Sequence, residues 1–181
     1  MSDVQLLCHP QSDAGGVTGV DVSITRVLGG EIQVDYRVSG AVSELEVPAQ
    51  VQPHRADALW KNTCFEIFIK QPDQEIYLEY NFSPSSQWAV YQFSNYRRDM
   101  ADVATAAPEI SVEQQDIDLV ISASLYLPDD LQESDLQVGL SAVLTTKNGN
   151  RSYWALAHPS EQPDFHHKDC FALQLTAPSA A

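Results

Sequence analysis

The sequence predicts an all-β protein, specifically a two-sheet antiparallel β-sandwich of jelly-roll or immunoglobulin-like type with a few short helical turns. Three observations lead to this prediction. Apolar and polar residues alternate with a period of two along nearly the whole chain. No window of twelve or more residues shows an apolar stripe at helical spacing, and 10 prolines and 8 glycines interrupt the chain at strand-like intervals. We therefore expect ten to twelve strands.

The alternation is clearest in five segments. Residues 20–24 and 32–38 flank Gly29 and Gly30, which predicts a hairpin whose turn uses the positive φ that glycine allows. Half-buried strands are also predicted from alternating residues within 119–127, 136–144 and 171–175. Helical turns are expected only near 53–59 and 130–135. No internal repeat is apparent.

The length and composition predict one domain. The chain has 181 residues, of which 44% are hydrophobic and 19% charged, enough apolar surface for a sizeable core. No linker rich in proline, glycine or serine divides it, so we expect a single domain over residues 1–176 and a disordered tail at 177–181.

The charge and the cysteines limit the binding partners and the cellular compartment that we expect. A formal net charge of −15 disfavours binding to nucleic acid or to an anionic membrane, because both need a basic surface. The first residues lack a basic segment followed by a long apolar run, and no later run approaches 18 apolar residues, so we expect a cytoplasmic protein. Cys8, Cys64 and Cys170 lie far apart without CxxC spacing, which suits a reducing compartment. The oligomeric state stays open.

The hairpin over residues 64–83 carries the most specific prediction. If the four residues 71–74 close it, counting from the turn places Lys70 opposite Glu75, Phe68 opposite Tyr77, Glu66 opposite Glu79 and Cys64 opposite Asn81. The other face, with Phe65, Ile67, Ile69, Ile76, Leu78, Tyr80 and Phe82, is then core.

A third strand is predicted to extend the face that is not core. With Phe82 opposite Trp88, Tyr91 lies beside Glu79 and Phe93 beside Tyr77, while Gln92 falls on the core side, which suggests a bulge or a register error. Two opposed carboxylates need compensation. Either Arg97, Arg98 or Lys61 neutralises them beneath covering loops, or the carboxylates and aromatic rings hold a sugar, or the pair acts as general acid and base.

The motifs on these strands resemble a known family. They are WKNTCFEIFI at 60–69, YLEYNFSP at 77–84, WAVY at 88–91, NYR at 95–97, YWALAHP at 153–159 and PDFHH at 163–167. In these residues the chain resembles the DOMON-like bacterial proteins related to family-nine carbohydrate-binding modules, over most of residues 1–176. The resemblance implies a β-sandwich that binds sugars or haem.

The resemblance also implies site residues. Trp60, Glu66 and Glu79 match its pattern best, and Trp154 would be a second aromatic platform. Calcium is sometimes bound elsewhere in such modules. Haem-binding relatives use methionine and histidine ligands, and this chain has only Met1 and Met100.

A second group of polar residues lies near the C-terminus. His158, Asp164, His166 and His167 suit a metal ion by residue type, but their spacing matches no established ligand motif, and hydrogen bonding within a loop is the alternative. The chain has no GxSxG, HExxH, P-loop or GxGxxG motif, so an enzyme is not expected.

Together these observations predict a non-catalytic module that binds a saccharide or a similar polyhydroxylated small molecule. No cofactor is expected, while calcium binding and metal binding by the cluster from His158 to His167 stay open. The alternative is a structural or interaction protein without a small-molecule ligand. The predicted binding residues are Trp60, Glu66, Glu79, Asn81, Tyr91, Arg97 and Trp154.

Overall fold

A computed structural model describes residues 1–178. Within this range thirteen strands, β1 to β13 in chain order, span Ser2–Cys8, Val17–Arg26, Glu31–Gly40, His54–Arg55, Cys64–Lys70, Tyr77–Phe82, Gln87–Phe93, Ala101–Asp102, Glu109–Gln114, Asp118–Tyr126, Leu136–Thr145, Arg151–Ala155 and Leu173–Leu175. Short 3₁₀ turns span Val42–Glu44, Leu59–Lys61, Asp129–Leu131 and Lys168–Cys170. The all-β class is confirmed.

The strands form one curled sheet. Its order is β4-β7-β6-β5-β11-β12-β1-β2-β3-β10-β9, with β13 beside β11 and β8 beside β7. The expected division into two separate sheets is not confirmed, because β1 pairs with β2 through Ser2 to Leu6 and then with β12 through Leu7 and Cys8. Every described pair is antiparallel except β4 with β7. Strand β1 therefore joins two limbs of the sheet.

The main core contains side chains from both limbs. The first limb is β1, β2, β3, β10 and β9, and the second is β12, β11, β5, β6, β7 and β4. Fully buried residues of the first limb, such as Val22 and Tyr36, belong to the same apolar cluster as Phe65 and Ile67 of the second. The rings of Tyr36 and Phe65 lie 5.1 Å apart. At the β2–β3 turn, Gly29 and Gly30 both have positive φ, as predicted.

One hydrogen bond across the core reaches the strand that carries the candidate site. The buried hydroxyl of Tyr36 donates to the backbone carbonyl of Glu66 at 2.7 Å. Tyr36→Phe is therefore expected to lower the free energy of unfolding by about 1 kcal/mol, measured by urea denaturation. Tyr126→Phe, at an exposed position of β10, is the matched control. Equal stability of the two variants would contradict a stabilising role for this bond.

The predicted register of the β5–β6 hairpin is wrong by two residues. Glu66 lies opposite Asn81 rather than Glu79, and Phe68 lies opposite Glu79 rather than Tyr77. The connection has six residues, 71–76, because Glu75 and Ile76 lie outside the ladder, and Ile76 is 49% exposed rather than core. A shift of two residues preserves the face of every side chain in the ladder.

The predicted pairing of β6 with β7 is confirmed. Phe82 lies opposite Trp88, Glu79 opposite Tyr91 and Tyr77 opposite Phe93. Gln92 pairs with Leu78 without a register shift, so the suggested bulge or register error is absent from this described pair. Gln92 is exposed, because it lines an open cleft of about 410 Å³.

The predicted tail begins inside the described part of the chain. The backbone N–H of Ala177 donates to Asp135 Oδ1 at 2.8 Å. Residues 179–181 of the predicted tail lie outside the described residues.

Candidate functional site

The candidate site lies on the outer face of the second limb. Because side chains alternate along a strand, Glu66 of β5, Glu79 and Asn81 of β6, and Ser141 of β11 all project to this face. Glu66 lies between Asn81 and Ser141 on the neighbouring strands. Glu79 lies opposite Phe68, two residues along β5 from Glu66. The two glutamates are therefore diagonal rather than direct neighbours across the β5–β6 pair.

A loop over residues 156–172 covers one end of this face. Phe165 and Phe171 join the outer apolar cluster that includes Phe68 and Tyr77. The loop approaches β11 closely at Gly139, where an added Cβ would lie 3.1 Å from the carbonyl oxygen of Cys170. A side chain at this position would need the loop to move by a few tenths of an ångström, so glycine allows the close approach.

The uncovered part of the face is an open cavity of about 490 Å³, a volume typical of small-molecule sites. Its lining combines buried carboxyl groups, aromatic rings and two arginines: Trp60, Glu66, Glu79, Phe93, Arg97, Met100, Val143, Arg151, Tyr153, Pro163, Phe165 and His166. The cavity therefore offers hydrogen-bond acceptors beside apolar ring surfaces.

Each glutamate has one oxygen engaged by a neighbouring side chain. Ser141 Oγ donates to Glu66 Oε2 at 2.9 Å, and Asn81 Nδ2 donates to Glu79 Oε1 at 2.8 Å. Within residues 1–178, Oε1 of Glu66 and Oε2 of Glu79 have no hydrogen-bond partner. Only 3% of Glu66 and 5% of Glu79 is exposed, so both carboxyls are largely removed from bulk water.

Burial changes the acidity of both carboxyl groups. Desolvation and the nearby Glu79 charge raise the pKa of Glu66 to about 8, against the opposing hydrogen bond from Ser141. Desolvation likewise raises the pKa of Glu79 to about 7, while the Asn81 hydrogen bond and the Arg97 charge oppose it. The pair therefore holds protons at a pH where an exposed glutamate is ionised.

His166 forms one wall beside Glu79. Its Nδ1 lies 2.8 Å from the Tyr77 hydroxyl, which also accepts the backbone N–H of Arg97 at 3.2 Å. Desolvation and the Arg97 charge lower the pKa of His166 to about 4, so its ring is neutral near pH 7. If Tyr77 donates to Nδ1, the ring proton is on Nε2, which lies 3.7 Å from Glu79 Oε2.

Arg97, one of the three cations considered for neutralising the glutamates, has another partner. The Arg97 guanidinium pairs with Asp164, with Nη2 2.9 Å from Oδ1, and the Tyr96 hydroxyl donates to the other oxygen of Asp164 at 2.7 Å. Among the residues that the structure describes, no lysine or arginine forms an ion pair with Glu66 or Glu79. Arg97 still acts on both carboxyls at longer range, since its charge lowers their pKa values.

Of the seven predicted site residues, Trp60, Glu66, Glu79 and Arg97 line the cavity. Asn81 does not line the cavity, and its side-chain amide donates a hydrogen bond to Glu79. Tyr91 is buried behind Trp60, with the ring centroids 6.0 Å apart, and its hydroxyl donates to Asp57 Oδ1 at 2.7 Å.

Trp154 is not at the cavity. It lies in the main core, 5% exposed, and its Nε1 donates to Ser152 Oγ at 2.9 Å. The neighbouring Tyr153 lines the cavity instead, because it lies opposite Val143 of β11 and projects to the outer face. The alternation of Tyr153 and Trp154 could have identified it had the strand pairing been known.

The predicted binding residues also did not include Phe165, Arg151 or Met100, and His166 was predicted to be either a metal ligand or a residue hydrogen-bonded within a loop. Phe165 and His166 lie within the PDFHH motif at 163–167, whereas Met100 and Arg151 lie outside the motifs.

The C-terminal histidines make hydrogen bonds within the loop or to neighbouring strands. His158 Nε2 lies 2.8 Å from the Leu7 carbonyl, and His167 Nδ1 accepts the backbone N–H of Asp169. Over residues 1–178 no group of three or more His, Cys, Asp or Glu side chains is arranged to hold a metal ion. None of the helices in that range has the length and apolar character needed to cross a membrane.

Comparison with known proteins gives matches of structure but none of sequence family. No family model matches the chain, and no curated protein matches it significantly. A candidate carbohydrate-binding protein from Bacteroides uniformis superimposes with a TM-score of 0.66 at 12% identity, covering 92% of this chain and 82% of that one.

A family 9 carbohydrate-binding module from Caldicellulosiruptor kristjanssonii was matched in two complexes. The glucose complex has a TM-score of 0.55 at 9% identity and covers 90% of this chain and 78% of that one. The cellotriose complex has a TM-score of 0.63 at 9% identity, with 99% and 84% covered. The chain therefore has the same fold as these proteins.

Proposed function

We propose that this chain is a non-catalytic module that binds a saccharide, or a similar polyhydroxylated small molecule, in the cavity over Glu66 and Glu79. The observation that carries the proposal is the pair of buried carboxyl groups at the base of an open, aromatic-walled cavity. Each carboxyl has one oxygen without a partner among the described residues. Sugar hydroxyls would supply the missing donors.

The aromatic walls of the cavity suit the apolar faces of a sugar ring. The C–H faces of a pyranose ring are apolar, and aromatic rings bury such surfaces while edge polar groups orient the ligand. Trp60, Tyr153 and Phe165 provide these rings around the carboxyls. The likeness of fold to modules solved with glucose and with cellotriose adds support at the level of ligand class.

Isothermal titration against monosaccharides, oligosaccharides and polyols tests the proposal. For a saccharide that binds at pH 8.5, above the raised pKa of Glu79, Glu79→Gln is expected to weaken affinity by at least about tenfold, because a hydrogen bond to a charged group contributes about 1.5–3 kcal/mol. Trp60→Ala should weaken it similarly by removing a ring wall. Glu113→Gln, at an exposed position of β9, is the matched control.

Failure of every saccharide and polyol to bind would reject the proposal. So would a binder whose affinity is unchanged in both Glu79→Gln and Trp60→Ala, provided that circular dichroism shows both variants folded.

One observation favours the alternative of an interaction protein without a small-molecule ligand. His166 and Phe171 cover part of the outer face with the chain's own loop, as such a protein would require. The open volume over the two carboxyls makes binding the better-supported function.

A further inference from the structure

A separate cleft lies between the two limbs of the sheet, beside the main core. It has a volume of about 410 Å³, and none of the described residues lines both this cleft and the cavity over Glu66 and Glu79. Leu78 of β6 comes from the second limb, whereas Leu127 and Leu131 follow β10 of the first limb. We call this space the inter-limb cleft.

The lining of the inter-limb cleft is largely apolar. Ile69, Leu78 and Leu131 belong to the main core and are at most 9% exposed. Ile76 and Tyr126 also line the cleft, and they are 49% and 54% exposed. The core therefore meets solvent at this point, and an apolar ligand would bury surface that the described chain leaves uncovered.

Gln92 places a polar group on the inner face of the second limb. It lies two residues from the core residue Val90 on β7, where alternation predicts an apolar side chain. The amide of Gln71, which also lines the cleft, donates to the Asp130 carbonyl and to Ser134 Oγ. Within residues 1–178 the amide of Gln92 has no such partner, so its N–H donor and its carbonyl acceptor are both available to a ligand.

The charged groups of the lining favour an uncharged ligand. Lys70 and Asp130 are the two charged residues among the described lining, and their charges offset each other. The Lys70 ammonium is also engaged elsewhere, since Nζ lies 5.5 Å from the centroid of the Phe171 ring and donates to the Gln74 carbonyl at 3.3 Å. The described lining contains no methionine or histidine, so the inter-limb cleft lacks the ligands that haem-binding relatives use.

We propose that the inter-limb cleft binds an uncharged, mainly apolar small molecule that carries a cyclic amide. The cyclic amide presents an N–H and a C=O side by side, and the Gln92 side chain offers the complementary acceptor and donor, so two hydrogen bonds form. The ring system of the ligand lies over Ile69, Leu78 and Leu131. The volume of the cleft is within the range of small-molecule sites. This binding is a second activity that does not depend on the proposed saccharide site.

An NMR titration of the full chain with oxindole, a bicyclic cyclic amide, tests the proposal. Oxindole is expected to bind with a dissociation constant below about 1 mM. N-methyloxindole should bind about fivefold more weakly, because the methyl group removes the donor of one of the two hydrogen bonds. In Gln92→Leu both compounds should still bind through apolar contacts, and this preference should disappear.

Two further variants serve as controls. Gln114→Leu makes the same change at an exposed position of β9 and should retain the fivefold preference. Ala104→Trp adds a large ring to the lining of the inter-limb cleft and should abolish the binding of oxindole, with circular dichroism showing that the variant is folded.

Three results would overturn the inference. They are a failure of oxindole to bind below about 1 mM, equal affinities of the two compounds for the wild-type protein, and a preference that persists in Gln92→Leu. Unchanged oxindole binding in Ala104→Trp would also overturn it, because the compound would then occupy another cavity. Saccharide binding should be the same in Gln92→Leu as in wild type, so the two proposals can fail separately.

Discussion

Phe65→Ala is expected to lower the free energy of unfolding by about 3–5 kcal/mol, the range for truncating a buried phenylalanine. Phe65 is fully buried near the start of β5, opposite Phe82 on one side and Ala142 on the other. Its ring packs against Tyr36 from the other limb of the sheet. Truncation leaves a cavity between the limbs that the close-packed strands cannot fill.

Urea denaturation followed by circular dichroism measures this effect. Ile76→Ala is an informative control, because it removes apolar atoms from the same hairpin at a position that is half exposed. Its expected loss is within about 0.5 kcal/mol. A loss for Ile76→Ala as large as that for Phe65→Ala would place Ile76 in the core and contradict the observed register.

The second large effect is a fall in stability between pH 6.5 and 8.5 that depends on Glu66. The raised pKa values of Glu66 and Glu79 mean that the folded protein binds more protons than the unfolded chain above about pH 4.5. Their stabilising contribution is complete below the unfolded pKa and is lost as pH rises through about 7 and 8. His166 acts in the opposite direction, since its lowered pKa makes stability rise between about pH 4 and 6.5.

Above pH 6.5 the contribution of His166 to the free energy of unfolding no longer changes. The contribution of the two carboxyls declines by up to about 1.4 kcal/mol per pH unit for each extra proton that the folded state holds relative to the unfolded state. Glu66→Gln removes one titrating group, relieves its repulsion of Glu79 and keeps an oxygen for Ser141. The variant should therefore lose less stability than wild type over this window, by about 1–2 kcal/mol.

Urea denaturation at pH 6.5 and 8.5 gives the comparison. Glu113→Gln, which changes an exposed glutamate of β9, should follow the wild-type profile. Parallel wild-type and Glu66→Gln profiles would show that the carboxyl pair does not titrate differently in the folded and unfolded states.

Much of the fold could be predicted because alternation is a local property of the chain. The runs within 119–127 and 136–144 became β10 and β11, and the positive φ of Gly29 and Gly30 was confirmed. The division into limbs could not be predicted, because it depends on β1 changing partner after Leu6. Nothing in the seven residues of β1 distinguishes the two partners.

The composition of the outer face was predictable for the same reason. Glu66, Glu79 and Asn81 lie on the face opposite the core even though the predicted hairpin register was wrong by two residues. A register error of two residues leaves every side chain on the same face of the sheet, but it changes which side chains are in contact. The proposed contact of Glu66 directly opposite Glu79 therefore failed, and their common placement survived.

The pairing of distant strands and the loops that cover the sheet decided the rest of the site. Whether Tyr153 or Trp154 faces the cavity depends on the partner strand β11, which is distant in the chain. The walls come from segments whose contacts are also long-range, such as Arg97 with Asp164.

The sequence by itself determined the all-β class and which residues of a strand share a side, because the two-residue period acts within a few bonds. Tertiary structure alone decided the register, the curl of the sheet and the cavity around Glu66 and Glu79. These depend on loop closure and packing between residues far apart in the chain, which no local pattern encodes.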